Sequence, residues 1–158
     1  MNSYMENKWS WVEGSHGMRN GLVSSLTDAD LAFSPGGQTM TLGALCREMG
    51  DIEHAYLQSL KDFKQDFTYR NTEPGIETSV AKLVAWYQRM DDDMKATLSA
   101  FSDDDFKKII ERAGGFNVPV EMQLEIYLQA ILIFFGKITI YLKIMNKPMD
   151  KTFQDYIG

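Results

Sequence analysis

The sequence predicts an all-α protein, an up-and-down bundle of four helices in a single domain covering residues 1–158. Two patterns support this prediction. Apolar residues recur at spacings of three and four along four long segments, as in amphipathic helices. Stretches rich in proline and glycine separate those segments. The hydrophobic fraction of 44% and the charged fraction of 24% are ordinary for one globular domain of this length.

The first two predicted helices differ in how strongly the sequence specifies them. The first covers about residues 8–25, where Trp9 and Val12 mark an inner side, but its three glycines weaken it. The second begins after Thr41, a residue type that caps helix N-termini. Its apolar positions follow the helical spacing closely and are Leu42, Leu45, Cys46, Met49, Ile52, Tyr56, Leu57, Leu60 and Phe63.

The third and fourth predicted helices enclose a segment that the sequence leaves undecided. The third helix covers about residues 78–101, and we interpret its acidic run, Asp91 to Asp93, as a solvated face. Residues 103–118 follow, and Phe106 to Ile110 within them fits either a short helix or a strand. Pro119 suits the first position of the fourth helix, which continues to about residue 145.

The fourth predicted helix is apolar around most of its circumference. One stripe includes Leu128, Leu132 and Phe135, and another includes Ile131 and Ile138. A helix of this kind must be covered on more than one side. We therefore expect a homodimer formed through this helix and one neighbouring helix, with Leu128, Leu132 and Phe135 as its anchors.

Charge and composition argue against several classes of protein. Acidic residues outnumber basic ones by 22 to 16, and no basic stripe suggests nucleic-acid binding. The apolar window at residues 126–145 is interrupted by Lys137, so we interpret it as a buried helix and expect no membrane span. Cys46 is the one cysteine, and the first eight residues are polar and charged, which favours a cytoplasmic protein.

Short motifs in two helices carry a resemblance to a known family. Leu42-Gly43-Ala44-Leu45 opens the second predicted helix, Gly136-Lys137-Ile138 lies within the fourth, and Asn146-Lys147-Pro148 ends it. Together with the four-helix pattern, these motifs resemble the DinB/YfiT-like family of four-helix-bundle metalloenzymes. The resemblance covers most of the chain and implies that fold.

The resemblance also implies a divalent metal held by three histidines, but the corresponding positions here are Glu48, Ala130 and Phe134. Ala130 has no donor atom and Phe134 has only an apolar ring. One carboxylate alone is a poor site for zinc or nickel. The family's glutamine after the glycine is Lys137 here, whose charge would repel a metal and could pair with Glu48. We therefore expect no metal and no other cofactor.

Three other polar residues stand out on the predicted helices. Glu53 lies in the middle of an apolar stripe, so its carboxylate must either find a hydrogen-bond partner such as Tyr, Trp, Lys or Arg, or shift its pKa. His54 points away from Glu48 on the same helix, and we interpret it as a surface or rim residue. We interpret His16 as a packing or capping residue. A metal site made of His16, Glu48 and a third residue remains an alternative.

Three functional hypotheses follow, and the first is favoured. It is a non-catalytic, metal-free family member that acts as a dimeric binding module, with a pocket at the vacated site. The second is a divergent metal-dependent hydrolase or thiol transferase that binds Zn or Ni through Glu48 and a histidine. The third is a small-molecule-binding or stress-response module. No P-loop, G-x-S-x-G, H-E-x-x-H or C-x-x-C motif supports another enzyme class. The candidate pocket residues are Glu48, Glu53, Tyr127, Ala130, Phe134, Lys137 and Tyr141.

Overall fold

Four long helices form the body of the molecule, which confirms the predicted all-α bundle. The computed structural model describes residues 2–157, with only the backbone for Ile157. In this part of the chain the helices are α1 (Ser3–Asn7), α2 (Trp9–Ser24), α3 (Leu42–Asp62), α4 (Val80–Ala100), α5 (Val120–Ile144) and α6 (Lys151–Ile157). The bundle consists of α2 to α5, and their bounds lie within a few residues of the predicted ones.

Side-chain caps fix where the helices and turns begin. The Thr41 hydroxyl accepts a hydrogen bond from the Ala44 amide at 3.2 Å, so the predicted N-cap of α3 is confirmed. Pro119 is the N-cap of α5 rather than its first residue. Before α3, Thr27 and Asp30 bond each other's backbone amides reciprocally and start a short 3₁₀ turn, as their capping-box pattern predicts.

The undecided segment between α4 and α5 contains both a turn and a strand. A 3₁₀ turn at Asp105–Lys107 leads into β1 (Ile109–Ile110), which pairs with β2 (Val118–Pro119). The pairing is antiparallel, with Ile110 opposite Val118. Both of these residues are buried, so the small sheet closes one end of the core.

Two glycines let α3 lie close to its neighbours. A Cβ atom at Gly43 would overlap the carbonyl oxygen of Glu77, and one at Gly50 would overlap the ring of Trp86. Both neighbours are firmly held, since one is backbone and the other is a buried ring. The glycine of the Leu-Gly-Ala-Leu motif is therefore required for packing.

The covering of α5 differs from the prediction. Phe135 was expected to anchor a dimer, but it is only 1% exposed and its ring centre lies 5.8 Å from that of Phe153 in α6. The C-terminal helix therefore covers this part of the predicted stripe within one chain, and Phe135 as an interface anchor is wrong. The large apolar side chains of α5 that remain exposed are Met122, Leu132, Ile133, Ile140 and Ile144.

In the part of the chain that the structure describes, α5 is the one helix long and apolar enough to cross a membrane. Within its most apolar 18-residue window, 44% of the residues are buried in the bundle. The core helix of a globular protein meets the same two criteria. Ile131, Phe135 and Ile138 of α5 do lie in the hydrophobic core.

Candidate functional site

A cluster of five polar side chains is buried between the four long helices. Helix α2 contributes His16 and Arg19, α3 contributes Glu53, α4 contributes Asp91 and α5 contributes Tyr127. The side chains of Arg19 and Glu53 are 0% and 2% exposed, and that of Asp91 is 13% exposed. Charges this deeply buried must be paired and hydrogen-bonded. We call these five residues the buried cluster.

Arg19 holds the two carboxylates of the buried cluster. One guanidinium nitrogen donates to Oε2 of Glu53, and the other donates to Oδ2 of Asp91 at 2.6 Å. Burial opposes the charge on Arg19, but the two carboxylates outweigh it and raise the Arg19 pKa. Burial likewise opposes ionisation of Asp91, yet the His16 ring and the Arg19 charge lower the Asp91 pKa below its usual range. Asp91 is therefore an anion at neutral pH.

Tyr127 links the histidine to the glutamate. Its hydroxyl lies 2.7 Å from Nε2 of His16 and donates to Oε2 of Glu53 at 3.0 Å. Burial and the Glu53 charge raise the Tyr127 pKa well above its usual range, so the hydroxyl stays protonated. On the other side of the ring, Nδ1 of His16 lies 3.0 Å from Oδ1 of Asp91. The sequence argument that Glu53 needs a tyrosine or arginine partner agrees with these contacts.

The second feature is a cleft beside the position where the family resemblance implies a metal. Its volume is about 320 Å³. The Tyr141 hydroxyl donates to the Met40 carbonyl at 2.8 Å and holds the loop before α3 against α5. Nζ of Lys137 lies 4.6 Å from the centre of the Phe134 ring. We call this feature the α3–α5 cleft, and its lining residues are Pro35, Gln38, Thr39, Met40, Leu45, Glu48, Lys137, Ile140 and Tyr141.

The residues at the family's metal position do not fit a metal. Phe134 is buried in the hydrophobic core, and a lysine ammonium lies against its ring. Ala130 is partly buried and packs against the same core. Glu48 faces the α3–α5 cleft and is the one oxygen donor among the three. A single carboxylate beside a fixed cation lacks the three or four donors that zinc or nickel needs.

The seven predicted pocket residues do not share one cavity. Glu53 and Tyr127 belong to the buried cluster, and three others line the α3–α5 cleft. The remaining two, Ala130 and Phe134, pack in the core. The predicted candidate pocket is thus divided between two separate sites and the core.

Sequence reasoning missed two members of the buried cluster. Asp91 was assigned to a solvated face, which is wrong, because it points between α2 and α4 and pairs with Arg19. Arg19 itself was not singled out, although it lies three residues after His16 on the inner side of α2. His54 is partly buried at the rim, where its ring stacks on Tyr69 with 3.7 Å between the centres.

Comparisons with known proteins identify relatives of the fold. A family model described as the DinB superfamily matches residues 15–132. The DinB-like protein YjoA of Bacillus subtilis is 13% identical, with 85% of this chain and 90% of that chain covered and a TM-score of 0.67. A DinB-like protein of Bacillus cereus ATCC 10987 is 16% identical, with 90% and 91% covered and a TM-score of 0.70. At these identities the likeness is one of fold. No curated protein sequence matches the chain.

Proposed function

The chain belongs to the DinB superfamily, and from this premise we propose that it is a non-catalytic, dimeric binding protein without a metal at the family position. One observation carries the proposal. Of the residues at the three ligand positions, only Glu48 offers a donor atom, while Ala130 and Phe134 pack in the core. A metal-free site cannot activate water as an open metal site does. The space beside it is instead suited to holding a small molecule.

The α3–α5 cleft favours a small amphipathic ligand. Its volume of about 320 Å³ lies at the lower end of the range of small-molecule sites. Leu45 and Ile140 offer apolar walls, and Lys137 places a cation at the edge. We therefore propose a ligand with a compact apolar body and one acidic group that pairs with Lys137. Glu48 would repel a second acidic group and favour an amine or hydroxyl at that point.

Dye binding tests this proposal with a charge-reversal pair on one helix. The probe is anilinonaphthalene sulfonate, which is apolar and carries one negative charge. Lys137→Glu should weaken its binding by more than about tenfold, because 1.4 kcal/mol of lost attraction is enough for that change. Lys143→Glu makes the same charge change at an exposed α5 position outside the cleft and should leave binding nearly unchanged. Equal binding by both variants would refute the assignment of the cleft.

The exposed apolar face of α5 supports the dimer. Ile133, Ile140 and Ile144 are each at least 50% exposed, and their spacing of seven and four places them on one face of the helix. Gly136 lies on the same face with open space around its missing side chain, so a second helix can approach closely. Soluble monomers rarely expose a continuous apolar patch of this kind. A two-fold pairing covers it on both copies at once.

Light scattering tests the dimer at micromolar concentration. The wild-type protein should have twice the chain mass of 18.0 kDa. Ile133→Glu should give the monomer with unchanged helix content, because a charge in the middle of the paired faces is costly to bury. Ile109→Glu is the matched control, since Ile109 is 54% exposed but lies in β1. A wild-type mass of 18.0 kDa would rule the dimer out.

The alternative function is a divergent metal-dependent hydrolase or thiol transferase that uses Glu48 and a histidine. The contacts of the two histidines do not favour it, because His16 lies in the buried cluster and His54 stacks on Tyr69. Burial also raises the pKa of Cys46 to about 12, so this thiol is not a ready nucleophile. About one equivalent of Zn or Ni that is lost in Glu48→Ala would nevertheless establish the alternative.

A further inference from the structure

Hydrogen bonds in the buried cluster leave one carboxylate oxygen of Glu53 without a partner. Arg19 and Tyr127 both donate to Oε2 of Glu53, and Arg19 donates to Oδ2 of Asp91. Oε1 of Glu53 is buried and has no hydrogen-bond partner, whereas Oδ1 of Asp91 is buried and contacts Nδ1 of His16 at 3.0 Å. The Glu53 oxygen belongs to a carboxylate, a group for which the cost of lost solvation is high. A cation bound at this oxygen would remove that cost.

The tyrosine determines which nitrogen of His16 carries a proton. Tyr127 has one hydroxyl proton, and it donates that proton to Glu53. The contact of 2.7 Å between the Tyr127 oxygen and Nε2 of His16 therefore needs a proton on Nε2. Nδ1 of His16 then faces Oδ1 of Asp91 across 3.0 Å. Either a proton on Nδ1 or a metal ion bound by both atoms can hold them at this distance.

The separation of these atoms is close to that of two ligands of one metal ion. Zinc binds nitrogen and oxygen at about 2.0–2.2 Å, so neighbouring ligands on one tetrahedral ion lie roughly 3.3–3.6 Å apart. One ligand atom from each of His16, Glu53 and Asp91 lies within 4.8 Å of the other two. Between residues 2 and 157, this is the one group of three or more His, Cys, Asp or Glu residues with that spacing.

The surroundings resemble the outer shell of a metal centre. Histidines that bind metals usually donate their other ring N–H to a neighbour, and carboxylate ligands are themselves hydrogen-bonded. Here Tyr127 receives the Nε2 proton, and Arg19 fixes both carboxylates through their other oxygens. Arg19 also neutralises one of the two carboxylate charges. One negative charge then remains to attract the ion.

A cavity of about 340 Å³ between α2 and α4 reaches two members of this group, His16 and Asp91. Glu13, Asp92 and Lys95 also line it, and Lys95 pairs with Glu13 at 3.0 Å. We propose that His16, Glu53 and Asp91 bind one divalent first-row metal ion such as Zn²⁺ or Mn²⁺. A mixed set of one imidazole and two carboxylates suits these ions. The site is separate from the α3–α5 cleft and does not depend on the function proposed for it.

Metal loading of untagged protein tests the proposal. Wild-type protein stripped with a chelator and incubated with Zn²⁺ or Co²⁺ should retain about one equivalent after dialysis. His16→Gln and Asp91→Asn should each lower the affinity by more than about tenfold. The controls are His54→Gln, which changes the other histidine, and Glu48→Gln, which changes the family position. Both should bind as tightly as wild type.

X-ray absorption of the wild-type zinc complex provides a second measurement if either cluster variant fails to fold. It should show one imidazole nitrogen among oxygen ligands. Wild-type protein that retains no ion would overturn the proposal, as would retention by both cluster variants. Loss of the ion only in Glu48→Gln would place it at the family position instead. That last result would also contradict the metal-free proposal, whereas failure at the buried cluster leaves dye binding in the α3–α5 cleft unaffected.

Discussion

Replacing Arg19 with methionine removes the one cation that contacts both carboxylates in the part of the chain that the structure describes. Arg19 is fully buried, and its partners Glu53 and Asp91 are 2% and 13% exposed. Methionine keeps much of the side-chain volume but offers no charge. Removing one partner of a buried ion pair costs about 3–5 kcal/mol, because the other charge is left unpaired. We expect Arg19→Met to lower the free energy of unfolding by that amount.

Urea denaturation followed by circular dichroism, in the presence of a chelator, measures this loss. For a domain of this size, each kcal/mol corresponds to roughly 2–4 °C in melting temperature. In thermal denaturation, the melting temperature of Arg19→Met should therefore lie roughly 6–20 °C below that of the wild-type protein. Arg89→Met is the matched control, because Arg89 is exposed on α4 and its replacement should change stability by less than about 0.5 kcal/mol.

A second variant separates charge from packing. Adding Glu53→Gln and Asp91→Asn to Arg19→Met removes the two stranded charges and should recover part of the lost stability. No recovery would assign the loss to packing, including the contact of 4.5 Å between the guanidinium carbon and the Tyr87 ring centre. A loss below about 1 kcal/mol in Arg19→Met would show that water reaches the carboxylates and would refute the reasoning.

Three further predictions concern packing and pH. Gly43→Ala should cost about 1–3 kcal/mol in urea denaturation, because the new methyl group meets the Glu77 carbonyl. Gly14→Ala, on an exposed face of α2 with open space around it, should instead stabilise by about 0.5–1 kcal/mol; the same sign for both would contradict the close-approach argument. Phe134→Ala should cost about 3–5 kcal/mol by leaving a cavity, and a loss within error would mean that the ring packs loosely. The lowered pKa of Asp91 stabilises the fold above its unfolded pKa of about 3.9, and that stability is lost as pH falls through the folded value. Wild type should thus lose stability more steeply than Asp91→Asn below about pH 4, as measured by urea denaturation over the acid range.

The sequence predicted the four bundle helices because each is long enough to show its apolar period. The strands β1 and β2 have two residues each, which is too short for any period to be visible. The covering of α5 was also beyond sequence reasoning. An apolar stripe shows that a helix needs a partner, but the stripe with Phe135 carries no sign that α6 supplies it.

The buried cluster shows where single-helix reasoning succeeds and fails. Glu53 was identified because a carboxylate inside an apolar stripe contrasts with its neighbours. Asp91 was missed because Asp92 and Asp93 follow it, and three consecutive acids look like a solvated face. Successive helical residues point about 100° apart, so one member of such a run can face inward while the others stay exposed. The structure shows that Asp91 is the inward one.

The energetics of the buried cluster argue that stability alone does not account for it. Replacing a buried ion pair by apolar residues of similar volume is often neutral or stabilising by about 1–4 kcal/mol. Helix α5 has apolar residues at the family's metal position, where Ala130 and Phe134 pack in the core. The same bundle nevertheless keeps a histidine, two carboxylates and an arginine between α2, α3 and α4, and one buried oxygen of Glu53 remains without a hydrogen-bond partner. Because an unpaired buried oxygen lowers stability, a function at the buried cluster is a better reason for it than packing.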